Sequence, residues 1–307
     1  MTTKKVGNFI IFGSVAVGGF LAGTHFQTHK FYNYNNIKIK RRPGLPLFGT
    51  VSAASPVLIP DAPQTNVSRV SQIMKYGFPS LDNVRSFDDY VLSYDRRNRV
   101  AHWVFEHITA ESVKHNPEVD RSKCEFKPDE SIHHYFRSEN ADYKKSGYDR
   151  GHLAAAGNHK SHQKHVEQTF FLSNMAPQVG KGFNRDSWNR LEKHVRKLTR
   201  VYSNVYCCTG PLYLPRRESD GKYYVKYEVI GSNHVAVPTH FYKVVVGECP
   251  DGKLEMESYV MPNHMIDNDV PLTSFQVPPD SIEKAAGLLF FDNISRSKIS
   301  KINGKKN

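Results

Sequence analysis

Residues Ser146 to Arg200 read SGYDRGHLAAAGNHKSHQKHVEQTFFLSNMAPQVGKGFNRDSWNRLEKHVRKLTR. The stretch opens on Asp149-Arg150-Gly151-His152 in a turn setting, between Gly147 and the small residues Ala154 to Gly157. It closes on Asn184, after which Trp188, Leu191, Val195 and Leu198 recur with the i, i+3, i+7, i+10 spacing of a helix's core face. A turn carrying an imidazole and a guanidinium, followed by a helix opening on a neutral oxygen ligand, is the arrangement around which the chain is organised.

Those groups suit the cleavage of a phosphodiester, whose charged oxygens repel a nucleophile. The reaction needs deprotonated water, positive charge at the phosphate and help for the leaving oxygen. His152 is the candidate base, because imidazole titrates near neutrality. Arg150 offers a planar fork of donors for phosphate oxygens, and Gly151 lets the backbone approach a neighbour closely. A hard ion such as Mg²⁺ keeps most of its waters, so one protein oxygen plus substrate phosphate suffices to hold it. Asn184 supplies that oxygen. Glu192, about two turns further on the same side of the helix, is placed to hydrogen-bond the waters of the ion. The helix also carries Arg185, Arg190, Lys193, Arg196, Lys197 and Arg200, a basic surface beside the proposed phosphate.

DRGHLAAAG (149–157), TFFLSNMAPQ (169–178) and FNRDSWNRLE (183–192) together resemble the DNA/RNA non-specific endonuclease family, whose site is a ββα-metal, or His-Me finger, motif. The resemblance runs from about Tyr90 to Ile294. It implies that His152 is the general base, that Asn184 is the direct protein ligand of Mg²⁺ (with Mn²⁺ as a substitute), and that Glu192 acts beside the metal waters and the leaving group. It further implies that Arg150 and Asn174 line the site; Arg185, from the basic surface of the helix, is the further candidate for binding substrate. The family also uses an arginine upstream of the turn to stabilise transition-state charge, and Arg99 in RRNRVAHW is the candidate here. By the same resemblance the enzyme would cut DNA and RNA internally, leave 5′-phosphate ends, form a homodimer and reside in the mitochondrial intermembrane space. Release to the nucleus, where it would fragment DNA in cell death, also follows from the resemblance. A mitochondrial 5′-exonuclease branch of the same family is the alternative within the enzyme class. A membrane-tethered nucleic-acid-binding protein without turnover is the alternative outside it.

The 307 residues are ample for a large buried core, and 39% hydrophobic with 12% aromatic content argues against general disorder. The net charge of +12 is unevenly spread. Residues 1–60 hold seven Lys or Arg and no acid, leaving 35 bases against 30 acids elsewhere, so much of the excess belongs to the N-terminus. There, Val6 to Gly23 is an uncharged apolar run after Lys4 and Lys5, read as a leader and membrane anchor over residues 1–25. Residues 26–65, which include the Pro-, Gly- and Ala-rich run Pro43 to Pro63, read as a linker. The nuclease domain is expected over 66–297 and a mobile basic tail over 298–307.

The domain reads as α+β, an antiparallel sheet flanked by helices with the ββα site on one face. Asp89 to Thr109 suggests a hairpin about Asp95–Asn98, with Arg99 on its second strand and Trp103 in the core. Strands are expected over Asn204–Leu214, Tyr223–Ile230, Val235–Gly247 and Leu254–Met261, and a helix within Pro271–Leu288 capped by Ser281. His159, His162 and His165 match no familiar zinc spacing and are expected on an exposed basic loop or helix. Asp149 reads as a turn-former. Cys124, Cys207, Cys208 and Cys249 read as free thiols, the middle two pointing to opposite faces of one strand.

Overall fold

The computed structural model describes residues 67–307; the leader and the whole of the linker lie outside the described residues. Period-two patterning folds as expected in the hairpin, β2 (Tyr90–Asp95) and β3 (Val100–Ile108), whose turn is held by the Asp95 carboxylate accepting from the backbone N–H groups of Arg97 and Asn98. Arg99 falls in that turn at φ +58°, so it is not on the second strand.

With β1 (Val84–Ser86), β4 (Tyr148–His152), β5 (Met175–Val179) and β6 (Asn204–Leu212), the strands continue in chain order. The long β11 (His240–Glu248) and β12 (Leu254–Pro262) follow two short ribbons, β7 (Arg216–Arg217) with β8 (Tyr223–Tyr224) and β9 (Val229–Ile230) with β10 (Val235–Ala236). The strand expected over Tyr223–Ile230 is therefore reduced to two fragments. Its side chains are mostly exposed, and a strand without an apolar face to bury has little to hold it. The chain ends in β13 (Ile299–Ile302) and β14 (Lys305–Lys306).

Eight strands form one sheet in the order β1-β2-β3-β6-β11-β12-β13-β14, antiparallel except where β13 runs parallel to β12. The segment expected to be a mobile tail is thus sheet: Ile299 is buried and Lys301 pairs with Glu255. Both faces are covered, which is why β6 and β11 are buried along almost their whole length. Three short helices, α1 (Arg69–Ile73), α2 (Asn140–Tyr143) and α3 (Gln163–Gln168), precede the longer α4 (Asn189–Leu198) and α5 (Pro279–Ala286). On one face Trp103, Phe105, Tyr242 and Val244 pack with Phe290, Phe291 and with Ile282 of α5. That helix begins with Pro279 and ends at Gly287 in the left-handed region, so Ser281 lies inside it and does not cap it. On the other face Tyr90, Leu92, Val104, Phe241 and Tyr259 pack under Leu153, Met175, Trp188 and Leu191. Cys207 and Cys208 face opposite ways, and all four cysteines are free.

Candidate active site

The site is built on that second face. β4 pairs antiparallel with β5, setting Arg150 opposite Pro177 and His152 opposite Met175. The chain then passes through a wide π-type turn, Gly180–Trp188, broken by Gly182 at φ +83°, into the helix α4 (Asn189–Leu198). Trp188, Leu191 and Val195 are fully buried against the sheet, each contributing roughly 1.5–3 kcal/mol by burial. This apolar anchor fixes which face of α4 meets β4. Asn184 and Glu192 are thereby delivered to the same cleft as Arg150 and His152, a space of about 900 Å³.

His152 stands against an aromatic wall, its ring centroid 4.8 Å from Phe170 and 5.8 Å from Phe126. Its Nε2 is buried without a hydrogen-bond partner among the described residues. Burial first, then the positive charges of Arg121 and His159, push its pKa down to about 3, so the imidazole is neutral and able to accept a proton at neutral pH. The same wall sets two cations: Arg150 lies 4.3 Å over Phe126 and donates to Asn140 Oδ1 at 2.6 Å, and Arg121 lies 5.7 Å over Phe170. With Lys144, Arg185 and Arg196, five cations line the cleft against two carboxylates, Asp149 and Glu192. Such a balance suits an anionic substrate.

Asp149 is the brace. It accepts from Arg185 at 2.6 and 2.8 Å and from Asn184 Nδ2 at 2.9 Å, and the Arg185 contact holds its pKa below the usual carboxylate range. Because the amide nitrogen of Asn184 must face the carboxylate, its oxygen is turned away from it and has no donor among the described residues. That neutral oxygen, with the Glu192 carboxylate in the same cleft, suits a hard divalent ion that retains water, while the lining cations oppose such an ion until an anionic phosphate enters. Among the described residues no cluster of three or more His, Cys, Asp and Glu is placed to hold an ion. Burial raises the pKa of Glu192, opposed by the charges of Lys243 and Arg196.

Two sequence candidates are not brought to the cleft. The Arg99 guanidinium donates to the carbonyls of Arg97 and Tyr135, each at 3.1 Å, beside the hairpin turn. Asn174 is fully buried and clasps backbone: it accepts from Ala154 N at 2.8 Å and donates to the carbonyls of Ala154 and Thr169 at 3.0 and 2.8 Å. It shapes the loop after β4, and both of its N–H donors are spent on backbone carbonyls, leaving none for a substrate phosphate. Arg190 likewise ties α4 to the carbonyls of Asn268 and Val270. Of the basic helix surface the cleft takes Arg185 and Arg196, and it gains Arg121, Phe126 and Asn140, which the motifs did not reveal. His159, expected on an exposed element, is 1% exposed.

Gly151 is needed for contact, not for φ: a Cβ there would collide with the buried Gln178 side chain on the facing strand. Gly151→Ala is expected to destabilise the protein by about 1–3 kcal/mol through overpacking. By displacing His152 it should also slow catalysis by about 10²-fold. Urea midpoints and turnover rates on the purified variant check both effects; a wild-type midpoint would show that Gln178 yields.

Comparison with known proteins agrees with this geometry. The family model for DNA/RNA non-specific endonucleases matches residues 69–297. "Endonuclease G, mitochondrial" of Caenorhabditis elegans is 48% identical over 309 residues, covering 96% of this chain and 97% of its own. The human protein of the same name is 55% identical over 223 residues, covering 73% of this chain and 74% of its own. The crystal structure of an EndoG/EndoGI complex matches with a TM-score of 0.78 and 72% identity, over 79% of this chain and 99% of that one. A cation-lined cleft between a two-stranded ribbon and the head of a helix, with this match over three quarters of the sequence, places the chain in the DNA/RNA non-specific endonuclease family.

Proposed function

We propose that this nuclease hydrolyses internal phosphodiester bonds of DNA and RNA, with His152 taking the proton of the attacking water. The observation that carries the reading is the neutral, wall-braced imidazole in a cleft with five cations and one unpaired amide oxygen. Arg150 and Arg121, both stacked on the aromatic wall, neutralise the phosphate. Arg185 is held by Asp149 and meets substrate at the rim. Asn184 would hold Mg²⁺ or Mn²⁺ by its oxygen, with the Glu192 carboxylate in the same cleft, and such an ion would supply Lewis-acid charge stabilisation for phosphodiester cleavage. The products carry 5′-phosphate ends. Little base preference is expected, because contacts to phosphate carry no sequence information.

The 48–55% identity to mitochondrial relatives supports a mitochondrial protein. Residence in the intermembrane space, a membrane contact through the N-terminal segment before processing, homodimer formation and a role in apoptotic DNA fragmentation complete the proposal. The direct test is incubation of the full chain with closed circular plasmid in Mg²⁺ or in EDTA. Nicking in Mg²⁺ alone is expected, since a closed circle offers no ends. Cutting of linear DNA only would turn the reading to an exonuclease, and retardation without cutting to a binding protein. Asn184→Ala should cut about 10–100-fold more slowly at limiting Mg²⁺ and regain part of the loss at high Mg²⁺. A metal titration identical to that of the wild type would move the ligand elsewhere.

A further inference from the structure

The chemistry above leaves unused a line of buried polar side chains that runs from the sheet to the cleft. Asp89, Glu106, Asn158 and His159 are all at most 4% exposed. His159 donates through Nδ1 to Asp89 at 2.7 Å and through Nε2 to Glu106 at 3.0 Å. The same Glu106 oxygen accepts from the Asn158 amide nitrogen at 2.8 Å. Asn158 Oδ1 then accepts from Arg196 Nη1 at 3.1 Å, and Arg196 is part of the cleft wall. At the far end Asp89 is paired with Arg69 at 2.7 Å.

Each link admits one orientation. Glu106, an acceptor, obliges Asn158 to present its nitrogen, which leaves the Asn158 oxygen for Arg196. The backbone beside this contact is a glycine, and a Cβ at Gly157 would stand 3.0 Å from Arg196 Nη1. Arg196 lies one turn beyond Glu192 on α4 and therefore on the same side of the helix. A buried ionic set of this kind is weak evidence for stability, because well-packed apolar groups can serve as well. What it supplies that they cannot is a fixed donor–acceptor direction ending at one guanidinium.

We propose that Asn158, Glu106 and His159 are positioning residues that aim Arg196 at the substrate backbone, and that Arg196 is a phosphate-binding cation of the cleft. The inference rests on the phosphodiesterase reading above. It does not involve proton transfer, so its signature is in binding: KM and the salt dependence shift while kcat holds.

The test is steady-state nicking by the full chain at several salt concentrations, for the wild type, Arg196→Ala, Asn158→Ala and the double variant. Arg196→Ala should raise KM about tenfold and lower the salt slope by about one, with kcat within about twofold. Asn158→Ala should move KM and salt slope in the same direction although Arg196 is present. The double variant should be no worse than Arg196→Ala alone, since the two act as one unit. If Asn158→Ala does not fold, Gly157→Ala crowds Arg196 directly and must give the same KM shift. Unchanged KM and salt slope in Arg196→Ala, or losses that add in the double variant, would overturn the proposal. A wild-type chain that cuts under no divalent ion strikes the phosphodiesterase reading instead, and this inference falls with it.

Discussion

Plasmid nicking by His152→Ala is expected to fall by about 10²–10⁴-fold, the usual contribution of a positioned base, while the variant still retards DNA. Loss and retention have separate physical sources. The substitution removes the one neutral imidazole of the cleft, but the five cations that meet phosphate are set by other contacts. Arg150 stays over Phe126 and bonded to Asn140, and Arg185 stays clasped by Asp149. The pH profile carries a second part of the expectation. In the free enzyme burial and the Arg121 and His159 charges hold the imidazole near pKa 3, low for a base working at neutrality. A phosphate entering the cleft neutralises Arg121 and makes protonated His152 more favourable, so its pKa rises on binding. The acid limb of kcat should therefore lie at higher pH than that of kcat/KM, and both limbs should vanish from the residual rate of the alanine variant. Near-wild-type nicking by His152→Ala would sink the general-base assignment.

How much of this was legible in the sequence depends on how local each feature is. The turn 149–152, Asn184, Glu192 and the apolar face of α4 are one continuous stretch whose periodicity dictates its own packing, and they converge in the structure as read. Arg121 and Phe126 belong to a polar, aperiodic segment and reach the cleft by stacking on each other's neighbours: Arg121 on Phe170, and Phe126 on Phe170 at 4.9 Å. No spacing rule announces such contacts. Arg99 stands upstream of the active turn in sequence, but the hairpin turn that places it points its donors to backbone carbonyls. For Asn174 the residue type was ambiguous, because an amide that clasps backbone and one that binds substrate look alike until their partners are known. The C-terminal lysines read as a mobile tail, but the apolar Ile299 between them pairs with β12 and is buried, which draws the segment into the sheet.

His159 shows the same limit in energetic form and carries the largest expected effect on stability. A histidine in a polar run reads as surface, yet here it is an imidazolium sealed between two carboxylates. Burial alone would lower its pKa, but the hydrogen bonds to Asp89 and Glu106 outweigh burial and lift it to about 9, while the Asp89 pKa is drawn down to about 2. His159→Ala leaves Asp89 with Arg69 but removes the one charged partner of Glu106, which keeps only the neutral Asn158 amide at 2.8 Å and whose second oxygen is buried without a partner among the described residues. The expected loss is about 3–5 kcal/mol, as for breaking a buried pair from one side. The pH dependence fixes the sign. The folded pKa of His159 stands above its ordinary 6.5, so its stabilisation is complete below about pH 6.5 and is lost as pH rises through about 9. The wild-type urea midpoint should accordingly decline from neutral to alkaline pH, while that of His159→Ala, with no proton to lose there, should decline less. The gap between them should be widest below pH 6.5 and narrow above pH 9, where the wild-type imidazole is neutral too. A gap that stays constant across that range would mean that His159 stabilises the protein by filling space, with its charge contributing nothing.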